Sequence, residues 1–245
     1  MSIFDDLEAE ESRLEAILSG LDPDDWARAS GAPGWSVADV VLHLAQSEEV
    51  LVASAGSGPG SGSLRDPAVG DSLDDIMEER VRSERSSPEL IFARWRDARR
   101  AALDLLRRAD PDGRIAWATN PLSPTTLATT RLAEHWAHAL DVTEPLGLPL
   151  EDTPRLRNVA WLGHRTLPYA FGLEGLPPAD VRCELVGPDG DEWSFGPPEA
   201  ESRIVGPGGE FCRVGARRLA PEQSSLRATG PRGADALRLL RNYAV

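Results

Sequence analysis

The segment from Ser123-Pro124 to Gly147 most restricts what this chain can become, because it has its own start signal, its own stop signal and a long uninterrupted run between them. Proline suits the first turn of a helix, where no amide donor is needed, and glycine suits the position just past the last turn. Inside this helix lies Arg131-Leu-Ala-Glu134-His135-Trp136-Ala-His138-Ala-Leu-Asp141. Residues i and i+4 of a helix lie one above the other, so Glu134 and His138 can address one metal ion without distorting the backbone. A third ligand has to come from another element, and His43 is the candidate. It sits on a helix announced by Ser36 and Asp39, whose spacing resembles a capping box with an acidic residue in the first turn. Two histidines and one glutamate form a set typical of catalytic zinc, which keeps one coordination position open.

The same residues admit plainer readings. A Glu and a His four apart are often a surface ion pair, and Arg131, Glu134, His138 and Asp141 form a narrow polar stripe such as a solvated helix face shows. The stripe is flanked by Thr and Ala with few charges, which argues for burial, and buried polar groups need partners. His43 borders an apolar arc of Val37, Val40, Leu44 and Leu51, where a hydrogen-bonded core histidine would also sit. His135 with His138 is the alternative pair, turning the ligand set away from Glu134. Asp39 could orient the His43 ring, although capping its own helix is the stronger reading, and Asp141 could support His138 in the same way. His164 reads as a packing or hydrogen-bonding residue, Trp35 and Trp136 as core anchors. No GxSxG, HExxH, GxGxxG or phosphate-loop pattern occurs.

Around these motifs the first part of the chain reads as helical. Residues 2 to about 20 place Ile3, Phe4, Leu7, Leu14, Ile17 and Leu18 at amphipathic spacing and stop at Gly20. The helix bearing His43 runs to about Ser54, and Gly56 to Ser63 reads as a flexible loop. A third helix is expected over Ser72 to Arg108, with a possible interruption at Pro88. Four helices joined this way suggest a bundle, an architecture that builds metal sites from facing helices. After Gly147 the pattern changes. One helix or two short ones over 153–171 precede a β-hairpin made of Val181–Val186, the turn Pro188-Asp-Gly190 and Glu192–Phe195. Further strands are expected at Ser202–Val205 and Ser225–Ala228, and helices at Glu210–Leu219 and Gly233–Tyr243. The expected class is α+β, with a metal-binding bundle over 1–150 and a small α+β domain over 151–245.

Charge narrows the partners. A net charge of −14 and a pI near 4.7 disfavour nucleic-acid backbones and anionic membranes, both of which need basic patches. All 26 basic residues are arginine, which points to a GC-rich coding bias. Cys183 and Cys212 lack metal or redox spacing and read as free thiols in a reduced compartment. The acidic N-terminus has no signal-peptide character and no long apolar run follows, so a cytoplasmic monomer or homodimer is expected.

Three stretches together resemble a known family: Pro33-Gly-Trp35-Ser-Val-Ala-Asp39-Val-Val-Leu-His43-Leu; Glu134-His-Trp-Ala-His138-Ala-Leu-Asp141-Val; and Trp193-Ser-Phe-Gly-Pro-Pro with Phe211-Cys-Arg-Val-Gly-Ala-Arg-Arg218. They are similar to the mycothiol-dependent maleylpyruvate isomerases of the DinB-like metal-binding superfamily, in order and separation, over nearly the whole chain. The resemblance implies a DinB-like four-helix bundle followed by a small C-terminal domain. It implies zinc, or another divalent metal, on His43, Glu134 and His138, and mycothiol, the small thiol of actinobacteria, as cosubstrate. A metal-activated thiolate would then attack a small electrophile, in isomerisation or thiol transfer. An arginine of the C-terminal domain is implied as a catalytic group holding a carboxylate, for which Arg213, Arg217 and Arg218 are candidates. The other reading is a non-catalytic metal-binding protein that holds a small thiol or thiol conjugate.

Overall fold

The computed structural model describes residues 2–56, 73–117 and 120–243, and the chain divides into two compact units, Met1–Leu150 and Glu151–Ala244. Most of the loop expected over Gly56 to Ser63 lies outside the described residues, as does Ser72.

The first unit contains α1 (Ile3–Ser19), α2 (Val37–Gly56), α3 (Leu73–Ser83), α4 (Pro88–Arg108) and α5 (Pro124–Leu146). Helices α1, α2, α4 and α5 pack against one another as a bundle, with α3 lying on α2. Its interior holds Leu14 and Leu18 of α1, Val40, Val41 and Leu44 of α2, Ile91 and Trp95 of α4, and Ala139 and Val142 of α5. Each large aliphatic side chain withdrawn from water in this way contributes about 1.5–3 kcal/mol.

The helices begin where the local chemistry dictates. Ser2 and Asp5 close a reciprocal capping box on α1, Ser123 accepts the Thr126 amide at 3.2 Å, and Ser36 with Asp39 exchange bonds of 2.9–3.2 Å at the start of α2. The long third helix expected from the sequence is two helices instead. Ser87 precedes a proline and adopts an extended backbone (ψ 150°), so the chain breaks there and restarts with Pro88 in the first turn of α4. Helix α5 ends on Gly147, whose φ of 68° suits a residue without a Cβ.

Near that end, Pro145 supplies no amide for the carbonyl of Asp141, four residues back. The Gly31 N–H fills the gap at 2.8 Å, and Arg28 Nη2 reaches the Pro145 carbonyl at 3.0 Å. A Cβ on Gly31 would lie 3.0 Å from both the Cα and Oδ1 of Asp141, so this approach needs glycine. The segment leading into α2 is thereby tied to α5.

The second unit contains α6 (Leu156–Arg165), α7 (Leu167–Leu173), β1 (Val181–Val186), β2 (Glu192–Phe195), β3 (Ser202–Pro207), α8 (Gly208–Gly215), β4 (Arg227–Thr229) and α9 (Gly233–Leu239). The chain is α+β. The four strands form one sheet in the order β2-β1-β3-β4, antiparallel at β1–β2 and β3–β4 and parallel at β1–β3. Val181, Cys183 and Leu185 point inward at alternate positions of β1, as a sheet with one covered face requires. His164 bonds the Val181 carbonyl at 3.0 Å and stacks on Phe195, a packing role. Among the described residues no helix is long and apolar enough to cross a membrane.

Candidate metal centre

His43 on α2 and Glu134 and His138 on α5 meet in the first unit. Their Nε2 atoms stand 3.8 and 3.5 Å from Glu134 Oε2, and one ligand atom from each residue falls within 4.8 Å of the others. These separations exceed a hydrogen bond. They approach the edge of a tetrahedron around an ion with ligands at about 2.0–2.1 Å, which is about 3.4 Å.

The donor chemistry fits as well. Asp141 Oδ2 accepts from His138 Nδ1 at 2.8 Å, and because a carboxylate can only accept, the proton is on Nδ1, so that in the neutral ring the Nε2 lone pair faces Glu134. Burial opposes charge on Glu134, but the His138 and His43 rings and the Arg131 cation outweigh it, holding its carboxyl well below the usual range. Burial lowers the His43 pKa, which keeps its ring neutral and able to ligate. For His138, burial is overcome by Asp141 and Glu134, and the pKa is raised. A proton and any cation bound there would therefore compete for this side chain.

The neighbouring polar residues are placed less as the sequence suggests. His135 is wholly buried and faces away from the cluster: its Nε2 accepts from Trp95 Nε1 at 3.2 Å and its Nδ1 donates to the Arg131 carbonyl at 2.9 Å. With both nitrogens used and burial pushing its pKa down to about 3, it does not pair with His138 as a ligand. The polar stripe is not a solvated face, since Arg131 and Asp141 are both buried. Arg131 holds Glu48 Oε1 and Ser47 Oγ, each at 2.7 Å. Those two residues were not singled out from the sequence, because Gln46-Ser47-Glu48-Glu49 reads as an exposed turn of α2. The available signal was the arginine itself, which needs an acid wherever it is buried.

Asp39 caps α2 and binds Arg85 through two bonds of 2.8 and 2.9 Å. Trp136 is a core anchor, 1% exposed. Trp35 is half buried and packs against the core, and its ring also lies 5.1 Å from that of His43.

The three arginines proposed from the C-terminal motif lie on and just after α8. Arg213 grips Asp152 through two contacts of 2.9 Å, so a substrate carboxylate would have to displace one already there. Arg217 is exposed, carries a left-handed φ of 63° and reaches the Arg238 carbonyl at 3.5 Å, while Arg218 bonds the Ala216 carbonyl.

Comparison with known proteins gives these observations a context. The family described as the mycothiol maleylpyruvate isomerase N-terminal domain matches residues 7–143. Uncharacterized protein Rv0036c of Mycobacterium tuberculosis strain ATCC 25618 / H37Rv is 38% identical over 229 residues, spanning 92% of this chain and 88% of that protein. Uncharacterized protein MT0041 of strain CDC 1551 / Oshkosh shows the same identity and coverage. Among solved structures, the mycothiol-dependent maleylpyruvate isomerase superposes with a TM-score of 0.64 at 14% identity, covering 93% of this chain and 91% of the other. A mutant of that isomerase gives 0.60 at 15% identity, with the same coverage. At these identities the structural likeness speaks for the fold.

Proposed function

Because this chain belongs to the mycothiol maleylpyruvate isomerase N-terminal domain family, we propose that it is a mycothiol-dependent isomerase or thiol transferase acting on a small electrophile, with a divalent metal, most simply zinc, on His43, Glu134 and His138. The observation that carries this reading is the convergence of three donor atoms from α2 and α5 whose spacings match tetrahedral edges better than hydrogen bonds.

A divalent ion bound there would favour the thiolate form of a small thiol placed beside it. The protein's own residues supply the rest. Asp141 holds His138 in the tautomer that presents Nε2, and Trp35 shields one side of the His43 ring. The chain contributes no nucleophilic sulfur of its own: Cys183 and Cys212 are fully buried, and burial pushes their thiols up, to about 12 for Cys183 and well above the ordinary value for Cys212. The nucleophile must therefore arrive with a small molecule. In isomerisation, sulfur adds to a conjugated carbon, the former double bond rotates as a single bond, and loss of the same sulfur restores the double bond in the other geometry. An arginine among Arg213, Arg217 and Arg218 would hold a carboxylate, with Arg217 the least committed to a partner inside the chain.

The test is metal analysis of purified protein together with turnover of maleylpyruvate and of a generic electrophile, each with and without mycothiol. Stoichiometric metal with thiol-dependent product supports the proposal. Metal and thiol affinity without product would instead identify a binding protein, and absence of stoichiometric metal under metal-replete conditions would overturn the reading.

A further inference from the structure

Away from the metal centre, the interior of the bundle holds a second cluster of ionisable groups: Glu11 of α1, Glu48 of α2 and His135 of α5, all buried, with one ligand-type atom from each within 4.8 Å of the others. The groups facing Glu11 come from every helix of the bundle. Helix α4 contributes Arg99, whose Nη1 lies 3.5 Å from Glu11 Oε2. Helix α5 contributes Arg131 and His135, and α2 contributes Glu48. On α1 itself, Glu15 binds Arg99 and Arg96, Glu10 pairs with Arg13, and Glu8 with Arg107.

The cations of this network are committed unevenly, because Arg96 and Arg99 both bind Glu15. Arg131 is matched by Glu48 at 2.7 Å and Arg99 by Glu15, while His135, with both nitrogens engaged, contributes no charge. An ionised Glu11 would have, as its nearest ion-pair contact, only Arg99 at 3.5 Å, a cation shared with Glu15. Its hydrogen bonding fails in the same direction, since neither carboxyl oxygen of Glu11 has a hydrogen-bond partner and neither has Glu48 Oε2. The nearest donor, Arg99 Nη1, stays 3.5 Å from Glu11 Oε2, and a buried carboxyl left without a closed hydrogen bond is costly in a protein interior.

A metal ion would answer this poorly. The ring nitrogen 3.7 Å from Glu48 Oε1 is His135 Nδ1, already bonded to the Arg131 carbonyl, and the ion would sit beside two guanidinium cations. A single proton would remove the Glu11 charge and turn one of its oxygens from acceptor into donor. We propose that Glu11 is an uncharged carboxylic acid at neutral pH, directing its proton to the free Oε2 of Glu48, and that this buried proton makes the bundle sensitive to alkaline conditions. Burial first, and the Glu48 charge second, push the Glu11 carboxyl well above its ordinary range, in agreement with the geometry. The sign follows. A carboxyl that keeps its proton in the folded chain and loses it when unfolded makes stability fall as pH rises, from the unfolded value of about 4.3 up to the folded one.

The test compares urea unfolding of the full-length protein with that of Glu11→Gln, whose amide can donate to Glu48 in the proton's place, between roughly pH 5.5 and 9, above the unfolded carboxyl value. One linked proton makes the wild-type unfolding constant rise about tenfold per pH unit more steeply than that of the variant until the folded pKa is reached. Parallel pH profiles would overturn the proposal, because Glu11 would then be ionised in the native state. So would a second equivalent of zinc, bound by wild type and by His43→Ala but lost in Glu11→Gln. Should Glu11→Gln not fold, infrared spectra of the wild type decide: the C=O stretch of an un-ionised carboxyl, present at neutral pH and lost in alkali, supports the proposal, and its absence at neutral pH refutes it.

Discussion

Asp141 and His138, one turn apart on α5, are joined by a 2.8 Å hydrogen bond that dictates which imidazole nitrogen faces Glu134 and His43. Removing such a support from a ligating histidine costs about 10–100-fold in metal affinity. Asp141→Ala should weaken zinc binding by that factor in competition with a chromogenic chelator, with the helical circular dichroism retained. Unchanged affinity would mean that the ring is oriented by its packing alone.

The proposed ligand set makes a sharper forecast. His43→Ala, Glu134→Ala and His138→Ala should each abolish stoichiometric metal binding, and in the wild type a chelator should lower the melting temperature, because an ion held only by the folded state stabilises it. His135→Ala should keep the metal and lose stability instead, by about 1–3 kcal/mol, since it strands the Trp95 N–H in the core. Metal analysis and urea unfolding of the four variants separate these outcomes.

Asp39 predicts acid sensitivity at the start of α2. Burial raises its carboxyl pKa, but the paired bonds to Arg85 and those to Ser36 win, leaving it below the ordinary value. A depressed folded-state pKa stabilises above the unfolded value of about 3.9, and that contribution disappears as pH falls through the folded one. Asp39→Ala should therefore be less stable at neutral pH, by about 1 kcal/mol for the lost cap, with the difference from wild type shrinking toward pH 3. Arg85 is half exposed, so its share of the effect should be small and should weaken with salt.

The cysteines give a simple check on where the nucleophile comes from. Native protein should react negligibly with a chromogenic disulfide reagent, and two thiols should appear on denaturation. Fast labelling of the native state would show a reactive thiol within the chain and weaken the need for an external one.

Much of this architecture is written in local patterns. The caps at Ser36 and Ser123, the stop at Gly147 and the i, i+4 spacing of Glu134 and His138 are short-range signals, and the structure places helices where they stand. The alternation at Val181–Val186 and Glu192–Phe195 likewise marks the hairpin. Contacts between distant segments are not legible in this way. The parallel pairing of β1 with β3 depends on the sheet as a whole, and the half-buried position of Trp35 on His43 depends on how its loop is pinned. Glu11 and Glu48 lie in acidic runs indistinguishable from solvated helix faces until α4 and α5 close over them.

Pro145 shows how a residue remote from any chemistry can govern it. By withholding one amide it keeps the Asp141 carbonyl free for Gly31, so the backbone of the residue that steers His138 also anchors the strand of chain from which His43's helix departs. Errors in that single junction would reach both halves of the proposed ligand set at once. Sequence variants here would then mimic loss of a ligand although none of the three donor residues had changed.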